Sequence, residues 1–300
     1  MIELIVMLKA SGYSSGVGLG KLSGTSSALS NHPLSIRLVG SSDFGDFTYS
    51  VGGLGASTVN SCYKHDYGTD TWSSIANYPI TIRGSGCSVD SSGDVFSFAG
   101  HNGSSYTNLS YKFNGSSWSS ISNYPISVGS LNAVNIGDDI YTSGGADVSI
   151  YHNNMYKYDS VTDTYSSLAN ITYATAYHSM ITDGTDIFIS YGTGPLSAVY
   201  DKLTKYDVSL DTHTSLATMP VSQYGEACFM SGDYIYAFAG YSTSFLSAMY
   251  EYYKSLNTWS YLSDPTGHAP STMGYKKSGN FVVFCGQVSS GTTNACYEIT

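Results

Sequence analysis

Charge is scarce in this chain. Only 11% of its 300 residues are Asp, Glu, Lys or Arg, and 12 basic residues face 22 acidic ones, giving a net charge of -10. Phosphate backbones are held by clustered Lys and Arg, so this balance weighs against nucleic acid as a partner. Long apolar runs are absent as well. No stretch approaches the roughly 20 residues needed to cross a bilayer as a helix. The longest, Ile2 to Leu8, is short, carries Glu3 and lacks a basic leader, which makes it a poor export signal. The 5 cysteines are odd in number and contain no CxxC pair, so they do not read as a metal site or a disulfide framework. The phosphate-loop, HExxH and EF-hand patterns are missing too. So is any capped segment with helical periodicity.

What the chain has in quantity is Gly (32), Tyr (28) and small hydroxyl residues, arranged in a unit that recurs six times. A small-residue pair closes a strand at Gly52/Gly53, Ala99/Gly100, Gly144/Gly145, Tyr191/Gly192, Ala239/Gly240 and Cys285/Gly286. The second members lie 47, 45, 47, 48 and 46 residues apart. A tyrosine-bearing strand follows each pair, at Tyr63, Tyr111, Tyr156, Thr204/Tyr206, Tyr250 and Tyr297, and Pro33, Pro79, Pro125, Ile171, Pro220 and Pro265 open the units. Periods of this size signal propellers, solenoids or arrays.

Within the unit from Pro79, a first strand from about Ile80 to Val89 is turned by Ser91 to Asp94 into the apolar run Val95 to Ala99. Gly with Asp or Asn supplies the positive φ of such tight turns. A polar loop, a third strand around Leu109 to Phe113 and a turn delivering Trp118 complete four strands. Four antiparallel strands cannot bury both faces alone, so the units must stack, with aromatics such as Trp72 and Trp259 wedged between neighbours. The Asp residues of the third-to-fourth strand turns (Asp66, Asp70, Asp159, Asp163, Asp207 and Asp211) are expected to cap those turns rather than hold a metal. Cys87 and Cys228 share a slot eight residues after the proline, filled elsewhere by Ser41, Ala133, Ser179 and Met273. Buried reduced thiols are expected, with a Cys285/Cys296 bridge as the alternative.

A Gly pair after an apolar strand, then Tyr, Asp, a Thr-Asn/Asp-Thr turn and Trp, resembles the kelch repeat over roughly residues 21–300. The pattern is degenerate where Asn114 to Trp118 replaces the turn, where Tyr165 replaces Trp, and at His213/Thr214. The resemblance implies an all-β, six-bladed β-propeller of four-stranded antiparallel blades with a central channel. The chain ends imply how it closes. Asn294 to Thr300 reproduces a third strand, and Ser26 to Pro33 matches the fourth strand and exit of Ser73 to Pro79, so the N-terminal strand is expected to complete the last blade. Residues 1–20 lie outside the period and read as an extra strand or a docking segment for another subunit.

Interblade loops and second-to-third strand loops share one face of a propeller, and function usually sits on such loops. The first set offers His32, Tyr78, Tyr124, Tyr173, Tyr224 and His268; the second offers His101, Tyr106, Tyr151, His152, Tyr200, Tyr241 and Phe245. Nearer the channel, Arg37 and Arg83 share the slot four residues after proline, Tyr177 and Glu226 share the slot six after it, and His178 follows Tyr177. An Arg pair suits a carboxylate or phosphate. Aromatic and imidazole groups with few fixed charges suit the stacking and hydrogen bonding that sugars need. The candidate ligand-binding residues are therefore Arg37, Arg83, Tyr78, Tyr124, Tyr177, His178, Tyr224, Glu226, His268, His101 and Tyr241. No catalytic set, metal or cofactor is expected.

These features predict a non-catalytic binding or adhesion module displayed outside a cell or on a virion such as a bacteriophage. Its partner would be a glycan or protein receptor, with residues 1–20 available to other particle subunits. The alternatives are a carbohydrate-active isomerase or hydrolase using Glu226 or His178 as acid/base, and a purely structural particle subunit. Enzymes that resemble this fold include copper radical oxidases and sialic acid mutarotases, but their ligands do not carry over residue by residue.

Overall fold

A computed structural model describes residues 23–263, 274–277, 280–288 and 291–299 of the chain. Among these residues the strands form six four-stranded antiparallel sheets. Each hairpin follows from its turn chemistry. In the second sheet, Gly86–Val89 reverses into Val95–His101, with Asp90 Oδ1 accepting the Ser92 and Asp94 amides at 2.9 and 3.1 Å and Gly93 at φ 89°. Tyr106–Phe113 and Trp118–Ser120 complete the sheet. Five sheets use four consecutive strands in this way. The sixth joins Gly274–Lys277, Asn280–Val288 and Gly291–Ile299 to Ser26–Leu29, which pairs antiparallel along the last of these strands, Ser26 opposite Ile299. The pairing read from the two chain ends is the one found. This pairing supplies the fourth strand of the last sheet.

The first strands, Gly40–Phe44, Gly86–Val89, Asn132–Ile136, Ser179–Thr182, Ala227–Ser231 and Gly274–Lys277, lie side by side, and the last adjoins the first. The protein is a β-propeller of four-stranded antiparallel blades. Its core lies between blades. Val95, Phe96, Phe98 and Ala99 are fully buried because both faces of that strand meet a neighbour; Phe98, for instance, packs edge-on against Tyr158 of the next blade at 5.3 Å.

A repeated staple joins neighbouring blades at the third-to-fourth strand turns. Asp163 adopts φ 55°, accepts from Tyr158 Oη of its own blade at 2.8 Å and from the Ser122 amide of the preceding blade at 2.8 Å. Asp211 does the same with Tyr206 (2.7 Å) and Ala169 (2.8 Å), and Asn257 with Tyr252 (2.8 Å) and Ala217 (2.7 Å). The aromatic at the start of the fourth strand returns a bond to the same linker. Trp72 donates to the Ser30 carbonyl at 3.1 Å, Trp118 to Ala76 at 2.9 Å and Trp259 to Ala217 at 3.0 Å. The turn acids thus divide their labour. Asp66, Asp159 and Asp207 cap their own turns, whereas Asp70, Asp163 and Asp211 reach back to the linker that precedes their blade.

The small-residue pair has a matching cause. At Gly52/Gly53 the chain takes φ 60° and 122°, and the Gly53 amide donates to the Ile82 carbonyl of the next blade at 2.8 Å. A β-carbon at Gly52 would run into that carbonyl oxygen. Cys62, Cys87, Cys228 and Cys296 carry free thiols, so Cys296 forms no bridge to Cys285. Burial pushes the Cys87 thiol up to about 11 and those of Cys62 and Cys296 to about 12.

Candidate functional site

At the end where the interblade linkers enter, each of the five described linkers makes one left-handed step before its first strand: Leu38 (φ 55°), Gly84 (59°), Ser130 (58°), Tyr177 (55°) and Gly225 (67°). These residues form a collar. The Gly84 amide donates to Leu38 O at 2.8 Å, Ser130 to Gly84 O at 2.6 Å, Tyr177 to Ser130 O at 3.1 Å and Gly225 to Tyr177 O at 2.8 Å. The collar sits six residues after Ile171 but five after the prolines. The fourth unit therefore has one extra residue, and slots counted from Ile171 fall one residue early. His178, not Tyr177, is the counterpart of Glu226, and Met180, not Ser179, is the counterpart of Cys87 and Cys228.

Above the collar opens a cavity of about 670 Å³ lined by Arg37, Tyr151, Tyr177, His178, Thr193, Tyr224, Glu226, Tyr241 and Phe245 among others. One side is an arc of rings. Tyr177 and Tyr224 lie 6.0 Å apart, Tyr224 and Tyr241 5.4 Å, and Tyr241 and Phe245 5.0 Å between centroids. Loop-to-linker pairing holds the arc, since Tyr224 and Tyr241 exchange backbone hydrogen bonds of 3.0 and 2.9 Å. Below, a narrower cavity of about 130 Å³ continues between the first strands, lined by Asp43, Cys87, Asn135, Thr182, Cys228 and Glu226. Glu226 borders both.

The floor of the mouth is polar and buried. His178 Nε2 lies 2.9 Å from Ser143 Oγ, and Ser190 Oγ donates to Glu226 Oε1 at 2.6 Å. His178 Nδ1, Glu226 Oε2 and Thr193 Oγ1 are buried without a partner. Loss of solvent pushes the Glu226 carboxyl up to about 8 and the His178 imidazole down to about 3, so near neutral pH the first holds its proton and the second is uncharged. Desolvation in the channel likewise raises Asp43 to about 7.

Six of the residues expected at a ligand site are brought together here: Arg37, Tyr177, His178, Tyr224, Glu226 and Tyr241. Tyr78 and Tyr124 are not. Both are buried, and their rings pack at 4.9 Å against Trp118 and 5.8 Å against Tyr165 of the following fourth strands. They fill the staple slot, as His32 does against Trp72 at 4.6 Å. Arg83 and His101 pair with each other through their backbones outside the cavity lining, Arg83 Nη1 donating to Thr58 Oγ1 at 3.3 Å and His101 Nδ1 accepting from Gly103. Arg37 and Arg83 therefore do not form a clamp at this cavity. His268 and residues 1–20 lie outside the described residues. Sequence reasoning missed Thr193 and the two serines that orient the floor. Their signal was Ser143 and Ser190 standing before the small pair, where the other described units carry Val51, Phe98 and Phe238.

Among the described residues no cluster of His, Cys, Asp and Glu has the makings of a metal site, and no helix is long and apolar enough to cross a membrane. No family model matches the chain. No curated protein matches it either. Among solved structures it is similar to that of YjhT, with a TM-score of 0.78 over 90% of this chain and 96% of that one at 14% sequence identity. At that identity the likeness speaks for the fold.

Proposed function

We propose that this protein is a non-catalytic recognition module of the kelch-like, six-bladed type that binds a glycan at the mouth of its central channel. The observation that carries the reading is the arc Tyr177, Tyr224, Tyr241 and Phe245 beside a cavity large enough for a sugar ring. Such rings offer wide amphipathic surfaces with few rotors, and pyranose faces stack on them. The low charge and hydroxyl-rich composition support display outside a cell or on a virion, where a glycan or glycosylated receptor would be met. In this reading residues 1–20 engage other subunits. The test is a glycan array probed with the full chain and with Tyr224→Ala. Binding by the wild type that the variant loses is expected; no binding by the wild type overturns the reading.

A second reading is favoured by one observation, the Glu226 carboxyl that holds its proton near neutral pH at the floor of the same cavity. A carbohydrate-active enzyme would use it as general acid. Sugar turnover followed by NMR tests this, and unchanged turnover in Glu226→Gln would clear the residue.

A further inference from the structure

We propose that Arg83, His101 and Tyr106 form an anion subsite on the rim of the mouth that takes the sulfate ester of a sulfated glycan, a reading that rests on the mouth being a sugar site. The three stand in one row across neighbouring segments of the second blade. Arg83, on the linker, and His101, at the exit of the second strand, exchange backbone hydrogen bonds of 3.0 and 2.9 Å, and His101 lies directly opposite Tyr106 at the entry of the third strand. Partners in such register carry their side chains on one face, about 5 Å apart at the β-carbons. The His101 and Tyr106 rings accordingly meet edge to face at 4.9 Å, and the Arg83 charge acts on both. In the fifth blade the same three positions hold Tyr224, Tyr241 and Phe245, members of the arc. The second blade stands opposite the fifth in the ring, and Gly84 and Ser85, which follow Arg83, line the mouth cavity.

Each member of the row offers an open donor. Among the described residues Arg83 enters no ion pair; its Nη1 reaches Thr58 Oγ1 at 3.3 Å, and the rest of the guanidinium has no protein partner. His101 Nδ1 accepts the Gly103 amide at 3.0 Å, and burial, then the Arg83 charge, lower the pKa of the imidazole, so the neutral ring carries its proton on Nε2. Neither His101 Nε2 nor Tyr106 Oη is bonded within the described residues, and both remain open to solvent. Gly129 of the next linker leaves room for the Tyr106 ring, which a β-carbon there would crowd. Charge then selects the group. Asp147, whose charge acts on the Tyr106 phenol, is held ionised by the Ser149 and Ile150 amides at 2.7 and 2.9 Å and by His152 at 3.1 Å. One arginine beside that acid suits a monoanion and weighs against a dianion such as a phosphate monoester. A sulfate ester is a monoanion with three terminal oxygens, one for each donor group in the row; a carboxylate has two.

The test probes an array of matched neutral, sulfated and carboxylated glycans, with a tyrosine-sulfated peptide beside them, using the full chain, Arg83→Gln and Tyr224→Ala. The tightest sulfated member is then followed by calorimetry and by NMR on 15N-histidine protein. Sulfated members are expected to bind about tenfold or more tighter than their neutral parents, with that ratio falling to about one in Arg83→Gln and the His101 Nε2 signal shifting on saturation. Should Arg83→Gln fail to fold, His101→Phe, which keeps a ring against Tyr106 and removes the donor, carries the same comparison. Neutral and sulfated members bound equally, and lost together in Tyr224→Ala, overturn the rim subsite alone. No binding by any glycan overturns the subsite and the sugar reading together. Carboxylated members preferred over sulfated ones, with the preference lost in Arg83→Gln, overturn the sulfate in favour of a carboxylate. A sulfated peptide bound more tightly than every glycan overturns the sugar as the bearer of the group.

Discussion

The two ends of the propeller treat polar groups in opposite ways. At the turn end, Asp163, Asp211 and Asn257 each take a left-handed conformation and use it to satisfy a buried Tyr hydroxyl and a neighbouring blade's amide at once. At the mouth, Tyr177 takes the same conformation, but its side chain borders the cavity, and beneath it His178 and Glu226 hold atoms with no partner. Strain and polarity at these three turn residues are offset within the protein. At the mouth they are not, which is the usual mark of a site shaped for something else.

That contrast breaks most readily at the turn end. Trp118→Ala removes a ring packed on Tyr78 and the bond to the Ala76 carbonyl, and should cost about 3 kcal/mol in denaturant unfolding while leaving mouth affinity unchanged. Asp211→Ala strips the partner from the fully buried Tyr206 and from the Ala169 amide; a loss of about 2 kcal/mol is expected, read as a lowered melting temperature.

The mouth responds to pH instead. Glu226 binds its proton more tightly folded, at about 8, than unfolded, at 4.5, so its stabilising contribution is full below 4.5 and is lost as pH rises through 8. Asp43 acts in the same sense between 3.8 and about 7. His178 acts oppositely: its neutral form stabilises above 6.5, and that contribution is lost as pH falls toward about 3. The melting temperature of Glu226→Gln relative to wild type should therefore rise between pH 5 and pH 9; a flat difference would deny the carboxyl its desolvated setting. Tyr177→Gly should have the smallest effect on stability, within about 1 kcal/mol, because relief of left-handed strain offsets the lost ring contact. Its affinity for a mouth ligand should nonetheless fall at least tenfold.

Much of the scaffold was legible because a glycine-ended pair and a following tyrosine recur six times at near-equal spacing, three of them followed by Trp, and because Ser26 to Pro33 repeats a fourth strand. The site was legible only in part, since tyrosine serves two purposes here. Tyr124 stands directly before Pro125 and Tyr224 four residues after Pro220, but which of these slots is wedged between blades and which joins the arc is told only by the neighbouring rings. The extra residue after Ile171 shifted the collar by one and hid the equivalence of His178 with Glu226. The unpartnered atoms arise from where Ser143 and Ser190 point, and a one-dimensional pattern does not record direction.

The most direct measurement is the paired effect of Tyr224→Ala and Asp211→Ala on glycan affinity and melting temperature in the same preparation. Tyr224→Ala is expected to abolish binding with little change in melting, and Asp211→Ala to lower melting with affinity intact below its transition. Equal loss of affinity in both variants, or a wild-type protein that binds no glycan, would contradict a ligand site at the mouth.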